Sequence, residues 1–231
     1  MMRTMRYPGG KGKCYQQVIN LMPPHRVYIE THLGGGAVLR NKQAAQRNIG
    51  IEADLRVIQS WKAEASALGV EIIHGKAEDF LRQFEFEGDE LLYVDPPYHP
   101  ATRRRRRVYR HDYTEADHEH LLELLLALPC KVMLSGYANA LYDKLLAGWH
   151  REDFQAKTHN GHRTETLWMN FAPPQVLHDA SHLGSDFRER EVTRRRIQRM
   201  QNRLHQMDPR ERATIARWLY ESYPEISRSI T

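Results

Sequence analysis

The stretch ELLYVDPPY, residues 90–98, decides the fold of this chain of 231 residues. Its apolar run, residues 91–94, has the length of a buried strand, and Asp95 with the two prolines ends that strand abruptly. Other apolar runs of strand length alternate with helical patterns, and they fall at residues 27–30, 48–51, 71–74 and 131–135. This alternation predicts an α/β fold with a mostly parallel sheet that is covered by helices on both faces.

The rhythm of the sequence changes after Trp149. Two extended stretches, residues 151–158 and 166–171, flank the dipeptide Asn160-Gly161, which is typical of a hairpin turn. We therefore expect an antiparallel hairpin to close the otherwise parallel sheet. The predicted sheet domain spans residues 1–175.

A basic helical extension is predicted for residues 181–231. Residues 186–206 have the pattern of a charged helix, and Asp208-Pro209 provides an N-cap and first turn for a second helix. The arginines of the extension are compatible with DNA contact. Monomer and homodimer both stay open, because an apolar stripe can either pack on the domain or pair two subunits; the stripe consists of Ile197, Met200, Leu204 and Met207.

Positive charge is concentrated in two places. The chain carries a net charge of +5. Residues 103–110 contain six arginines and no acid, and residues 185–231 contain eleven arginines against seven acids. The rest of the chain is therefore acidic, with a net charge of −5. Local basic blocks on an acidic body indicate a polyanionic partner that binds at particular places.

Several classes of protein are not expected from the composition. No apolar run approaches the ~20 residues of a membrane span, and the N-terminus does not resemble a signal peptide. The two cysteines, Cys14 and Cys130, stand apart from each other and from the histidines, so no structural metal site is indicated. We expect a cytoplasmic protein with no membrane partner and no metal.

The tetrapeptide Asp95-Pro96-Pro97-Tyr98 has the chemistry of a binding site for an aromatic amine. Ligands of open parallel sheets bind at the carboxyl ends of the strands, where this tetrapeptide would lie. Pro96 and Pro97 restrict the backbone, so that the Asp95 carboxylate and the Pro96 carbonyl can both accept hydrogen bonds from one amino group. Tyr98 supplies a ring for stacking. The alternative interpretation is a rigid turn with a solvated aspartate.

A second candidate site is the glycine-rich segment ETHLGGG, residues 30–36, which lies between a predicted strand and a predicted helix. Glycines at such a junction allow positive φ and close approach of a ligand to the backbone, although such turns are also often purely structural. Glu52 follows the next predicted strand, where an acid can accept hydrogen bonds from ribose hydroxyls. Glu52 is equally compatible with a surface acid or a helix cap.

Five motifs in one order resemble the Dam-like (D12 class) DNA adenine-N6 methyltransferases, which use S-adenosylmethionine. The resemblance covers residues 5–172, and its motifs are YPGGK at 7–11, ETHLGGGAV at 30–38, IEAD at 51–54, DPPY at 95–98 and TETLWMNF at 164–171. It implies a Rossmann-like methyltransferase sheet. Two positions depart from the pattern: His32 stands where the family usually has phenylalanine, and Thr31 replaces a common proline.

The resemblance also implies roles for individual residues. Asp95 and Pro96 would bind the target amino group and Tyr98 would stack on the adenine, with Asp95 also bordering the cofactor. Tyr7 and Lys11 would close over the cofactor, and Gly34 and Gly36 would form its floor. Glu30 would orient its methionine end, Glu52 would hold its ribose and Asp79 would approach its adenine.

The expected function is methylation of adenine N6 in double-stranded DNA by direct in-line transfer, after the base has been flipped out of the helix. Arg103, Arg104, Arg105, Arg106, Arg107 and Arg110 would grip the neighbouring phosphates, although a solvated charge run is the plainer interpretation. Three alternatives stay open: an amino methyltransferase acting on cytosine N4, one acting on RNA, and a DNA-binding protein with an inactive site. A restriction-modification or phage setting is typical of such enzymes.

Overall fold

The computed structural model describes residues 11, 14–103, 110–158 and 161–224, with backbone alone for residues 157, 158, 161 and 162. The strands of these residues are β1 (Val27–Glu30), β2 (Arg47–Glu52), β3 (Val70–His74), β4 (Glu90–Val94), β5 (Lys131–Gly136), β6 (His150–Thr158) and β7 (Gly161–Met169). The helices are α1 (Tyr15–Ile19), α2 (Ala37–Asn41), α3 (Leu55–Trp61), α4 (Ala77–Gln83), α5 (Glu115–Leu126), α6 (Ala140–Leu145), α7 (Phe187–Gln206) and α8 (Pro209–Ser222).

The strands form one sheet in the order β3-β2-β1-β4-β5-β7-β6. Strands β1 to β5 pair in parallel, whereas β7 pairs antiparallel with both β5 and β6. The predicted α/β class, with a mostly parallel Rossmann-like sheet, a terminal antiparallel hairpin and a C-terminal helical extension, is confirmed. Strand β7 begins at Gly161 instead of residue 166, because the hairpin keeps its ladder up to the pair Thr158 and Gly161.

Helices cover both faces of the sheet, so the central strands are buried on both sides. All five residues of β4 are buried, as expected for a parallel strand between two helical layers. Helices α1, α2 and α3 pack on one face through residues such as Ile19, Val38 and Trp61. On the other face lie α4, α5 and α6, with Leu81, Leu121, Leu122, Leu125 and Tyr142. Burial of these two layers supplies the main driving force for folding.

The chain leaves the sheet at Met169 and returns to the layer of α1 and α2. The amide of Asn20 donates to the carbonyl of His182 at 2.6 Å, and the backbone amide of Gln43 donates to Asp179 at 2.8 Å. Beyond this segment, α7 and α8 extend into solvent, and within their described residues Thr193 is the only buried position. The division into residues 1–175 and 181–231 stays a prediction.

Two members of the apolar stripe of α7 are exposed. Ile197 and Met200 are 39% and 59% exposed. Across the part of the chain described above, no helix combines the length and the apolar character needed to cross a bilayer.

The turn before α2 gives a test of the fold. Gly36 has φ +58°, and a Cβ at this position would lie 2.2 Å from Cζ2 of the buried Trp61. We expect Gly36→Ala to lower the free energy of unfolding by at least about 2 kcal/mol, because the substitution adds both backbone strain and overpacking. Urea denaturation measures this loss. Gly148→Ala is the control, since a Cβ there has no atom within 4 Å; equal stability of the two variants would contradict the packing.

Candidate active site at the carboxyl edge of the sheet

A cavity of about 200 Å³ opens where the strand order reverses, between β1 and β4. This reversal is the usual ligand site of open parallel sheets, because the loops after the two strands diverge to opposite faces. The cavity is lined by Lys11, by residues 30–38 after β1, by Glu52 and Ala53 after β2, by residues 75–77 after β3, by residues 95–97 after β4 and by residues 111–113 with Asp117.

The floor of the cavity is the glycine turn after β1. Gly34 and Gly36 have φ values of 46° and 58°, in the left-handed region that favours glycine. The indole of Trp61 donates to the carbonyl of Gly34 at 2.9 Å, which fixes the turn from below. Glu52 fixes it from the side: one carboxylate oxygen accepts from the Gly34 amide at 2.8 Å and the other from the Asp54 amide at 2.9 Å. The glycine turn is therefore preformed.

Glu30 is a buried carboxyl group in the wall of the cavity, with 3% exposure. It accepts hydrogen bonds from the Tyr28 hydroxyl at 2.9 Å and from the Leu39 amide at 3.2 Å. Burial raises the pKa of Glu30 to about 8, against the opposing effect of the Tyr28 hydrogen bond. Since an added cation would favour the ionised form, this wall of the cavity is suited to a positively charged ligand group.

The catalytic tetrapeptide predicted from the sequence is tied to the N-terminal segment by a buried ion-pair network. The ammonium of Lys11 lies 2.6 Å from Oδ1 of Asp95 and 2.7 Å from Oε1 of Glu165. Burial raises the pKa of Asp95 to about 6, with Glu165 adding to the rise and Lys11 opposing it. Burial alone would lower the pKa of Lys11, but the two carboxylates raise it well above its ordinary value. Lys11 is therefore a fixed cation.

Tyr98 belongs to the same network. Its hydroxyl accepts from Lys11 at 3.2 Å and donates to Glu165 at 3.3 Å. Its ring packs on Tyr137 with centroids 4.3 Å apart, and the guanidinium of Arg163 lies 3.6 Å from the Tyr137 centroid. The orientation of Tyr98 is thus held at both its hydroxyl and its ring.

Most of the site residues predicted from the sequence meet at this edge of the sheet. Lys11, Glu30, Gly34, Gly36, Glu52, Asp95, Pro96 and Pro97 line the cavity, and Tyr98 contacts it through Lys11. Asp79 does not join them. It lies on α4 with its side chain 61% exposed and pairs with Arg82 at 3.3 Å, while the residues that open α4 line the cavity instead. Tyr7 lies outside the described residues.

The predicted DNA-contacting arginines differ in their surroundings. Arg103 is an internal brace: its side chain is 5% exposed, and its guanidinium binds Asp112 at 2.6 Å and also the Tyr98 carbonyl. Protein acceptors already engage this group, and a phosphate contact for Arg103 stays a prediction. Arg110 is 54% exposed and lies 3.4 Å from Asp54. Residues 104–107 lie outside the described part of the chain.

Glu165 was missed by the sequence reasoning, although it lies within the motif TETLWMNF. Strand β7 runs antiparallel to β5, so its first half reaches the same edge of the sheet as Asp95. The available signal was one acid between two threonines on a strand that leads into an apolar run. Burial of that acid to 2% could not be read from the pattern.

His32, the departure from the family pattern, also has a defined role. Tyr113 donates its hydroxyl proton to Glu78, so its oxygen accepts from His32 Nε2 at 3.0 Å. His32 Nδ1 is then left to accept from Thr31 Oγ1 at 2.9 Å. Burial lowers the pKa of His32 to about 3, so the ring is neutral near pH 7. The chain of hydrogen bonds holds Tyr113 as a wall of the cavity.

Within the described ranges, no group of three or more His, Cys, Asp or Glu side chains is placed to hold a metal ion.

Comparison with known proteins identifies the class. Residues 52–163 match the sequence model of the D12 class N6 adenine-specific DNA methyltransferases. The match contains the DPPY tetrapeptide and begins after the glycine turn. No sequence among the curated proteins matches the chain.

Solved structures of low identity are also similar in part. The O-methyltransferase TomG from Streptomyces achromogenes is 16% identical, with a TM-score of 0.47 over 69% of this chain and 78% of that one. A putative RNA methyltransferase from Pyrococcus horikoshii is 13% identical, with a TM-score of 0.46 over 72% and 86%. A dimethyladenosine transferase from Plasmodium falciparum is 13% identical, with a TM-score of 0.43 over 67% and 58%. Likenesses at this level carry no information about the reaction.

The fold and the site define an α/β protein with a ligand cavity at the switch point of its sheet and a buried ionic network at its edge. Residues 52–163 match the D12 class methyltransferases, so the resemblance found in the sequence is confirmed, and this match supports methyl transfer as the class of reaction.

The ion-pair network predicts a pH-dependent stability. We expect Lys11→Met to lower the free energy of unfolding by about 3 kcal/mol at neutral pH, because it leaves Asp95 and Glu165 buried without their cation. Carboxyl groups without that cation hold a proton more tightly in the folded than in the unfolded state, so the loss should shrink as the pH falls.

Urea titrations at two pH values, one above and one below the Asp95 pKa of about 6, measure the effect. Lys62→Met removes an exposed lysine and serves as the control. A loss that is the same at both pH values would contradict the assignment.

Proposed function

We propose that the protein transfers a methyl group from S-adenosylmethionine to the N6 amino group of adenine in double-stranded DNA. The observation that carries the proposal is the position of Asp95: its carboxylate borders the cavity and is held by Lys11 at 2.6 Å beside the ring of Tyr98. An acceptor, a backbone carbonyl and an aromatic ring at one spot match an aromatic amine.

The described residues fit the cofactor. Gly34 and Gly36 line the cavity with backbone in the left-handed region, Glu52 has remaining lone pairs for ribose hydroxyls, and the buried Glu30 suits the amino end of the methionine moiety. Tyr113, which is held by His32, is a further wall of the cavity. When bound, S-adenosylmethionine supplies an already activated sulfonium methyl group.

Asp95 and the Pro96 carbonyl would hold the target amino group as hydrogen-bond acceptors. The lone pair of this nitrogen is delocalised into the purine, so it attacks poorly unless the nitrogen is made more pyramidal and aimed at the methyl carbon. Two fixed acceptors do this by orienting both N–H bonds. A direct transfer needs no covalent enzyme intermediate.

Adenine N6 lies inside the duplex, so the base must leave the stack, which costs a few kcal/mol. Tyr98 supports the extruded base in the proposal, because its ring is preoriented by Tyr137 and its hydroxyl by Lys11 and Glu165. A ring that is already fixed loses little conformational entropy when the base stacks on it.

Phosphate contacts are assigned to Arg104, Arg105, Arg106, Arg107 and Arg110. Arg110 is half-exposed and directly precedes residues 111–113, which line the cavity. Arg103 is left out, since it braces the start of the loop. An acidic body makes such a basic loop the favoured entry point for DNA.

The activity is tested by mass analysis of nucleosides after incubation of the protein with duplex DNA and labelled S-adenosylmethionine. We expect N6-methyladenine from the wild-type protein and at least about a 1000-fold lower rate from Asp95→Ala, with DNA affinity within about threefold. Arg56→Ala changes an exposed residue and is the matched control.

Each alternative gives a different product. Label on cytosine N4, or on RNA alone, would replace the proposal with that activity. DNA binding without turnover of the cofactor would identify a binding protein with an inactive site.

The arginine loop is tested separately by its salt dependence. Replacement of Arg104 to Arg107 by serine, with Arg103 kept, should weaken DNA binding and reduce the slope of log K against log salt by up to about 0.9 for each phosphate that these arginines neutralise. Fluorescence anisotropy at several salt concentrations measures the slope. An unchanged slope would contradict a role in phosphate binding.

A further inference from the structure

Glu165 is a buried carboxyl group that contacts Lys11, the cation that holds Asp95. Glu165 is 2% exposed, and its carboxylate lies 2.7 Å from the ammonium of Lys11. It also accepts from the Tyr98 hydroxyl, at 3.3 Å and 3.4 Å for its two oxygens. This buried acid therefore contacts both Lys11, which binds Asp95, and Tyr98.

The charges of the pocket do not cancel. Lys11 contributes one positive charge, whereas Asp95 and Glu165 contribute two negative charges when ionised. A pocket with Asp95 and Lys11 alone would be neutral, and Lys11 would offset the attraction of Asp95 for a cation. With Glu165, the buried network retains one net negative charge. Because burial weakens dielectric screening, this excess charge acts strongly on a group that becomes positive nearby.

Methyl transfer to an amino group produces such a positive group. The bond between N6 and the methyl carbon forms as the sulfur–carbon bond breaks, and the bonding pair stays on sulfur, so the positive charge moves from sulfur to N6. The methylated nitrogen then gives one proton to the Asp95 carboxylate, which leaves neutral N6-methyladenine and a thioether. An acceptor with a pKa raised to about 6 is suited to take this proton and release it later to water.

We propose that Glu165 is a positioning residue for this reaction: it holds Lys11 and Tyr98 in place and keeps the pocket negatively charged, so that Lys11 can orient Asp95 without cancelling its effect. This inference rests on the proposed function. Arg163, two residues earlier on β7, adds a second restraint through Tyr137. Strand β7 thereby supports both Lys11 and Tyr98.

The charged and titratable groups around Asp95 make the proposal specific. They come from the N-terminal segment, from β1, β4, β7 and α6 and from the loop after β4, and they are Lys11, Cys14, Tyr28, Glu30, Tyr93, Glu165, Tyr142 and Tyr98. After burial, the negative charge of Glu165 raises the pKa of Asp95 further. Loss of its charge should therefore lower that pKa.

The experiment compares Glu165→Gln with the wild-type protein in methylation of duplex DNA across a range of pH. We expect kcat to fall on the order of 100-fold, while KM for DNA stays within about threefold, since the charge acts on the transition state. The acidic limb of the pH profile, near pH 6 in the wild-type protein from the Asp95 pKa, should move to lower pH. Glu165→Asp keeps the charge and should recover a large part of kcat and the wild-type limb.

Glu152→Gln is the matched control, because it neutralises an exposed acid of the same hairpin. Binding of S-adenosylhomocysteine, measured by calorimetry, and the circular dichroism spectrum show whether each variant is folded. If Glu165→Gln does not fold, Glu165→Asp decides: a kcat lowered more than about threefold by the shorter side chain, with the acidic limb kept in position, supports the role, and a kcat equal to that of the wild-type protein refutes it.

Three outcomes separate the two proposals. A wild-type protein that makes no N6-methyladenine refutes the proposed function. An active wild-type protein with a folded Glu165→Gln variant of equal kcat refutes the role of Glu165 and leaves the function intact. If Glu165→Gln lowers kcat but the acidic limb of its pH profile does not move, the role of the Glu165 charge is also refuted. The same holds if Glu165→Asp lowers kcat as much as Glu165→Gln does.

Discussion

The ammonium of Lys11 is the interaction on which the site depends, because it joins three parts of the chain that are far apart in sequence. It connects the N-terminal segment before α1, the end of β4 at Asp95 and the second strand of the hairpin at Glu165. None of these groups would be stable in this place alone, since each would be a buried charge without a partner. The network thus stabilises the edge of the sheet only as a complete set, and its desolvation cost is offset by the two apolar layers around the strands.

Asp95 faces both halves of the site, and this dual position explains why the residues after β4 need a rigid backbone. On one side it borders the cavity with the glycine turn, and on the other it contacts the network that holds Tyr98. A shift of about 1 Å in this carboxylate would change the distance between the two reacting groups, which is a costly error in a direct transfer. Pro96 and Pro97 remove the backbone freedom that would permit such a shift.

The sequence predicts the sheet and the location of the site well, because both depend on local patterns. Apolar runs of strand length mark β1 to β5, and the residues that follow each strand necessarily meet at one edge. The partners of each side chain are less predictable. Asp79 and Arg103 are near site motifs in the sequence, yet the partners of neither side chain follow from the motif. Asp79 points to solvent because of its place on helix α4, and Arg103 is buried because it binds acceptors of the loop. Glu165 is remote from Asp95 in the sequence, and the antiparallel pairing of β7 brings it to the site.

The surroundings of Arg103 connect the two functions of the region after DPPY. Its guanidinium binds the carbonyl of Tyr98 and the carboxylate of Asp112, so it fixes the start of the arginine segment to the point where the chain returns to the cavity. Asp112 and Tyr113 are themselves part of the cavity wall, and Tyr113 is held by His32. Arg103 therefore holds both the Tyr98 segment, which is proposed to receive the base, and the wall of Asp112 and Tyr113, which is proposed to enclose the cofactor. An arginine suits this position better than a lysine, because its planar group can bind several acceptors in different directions at once.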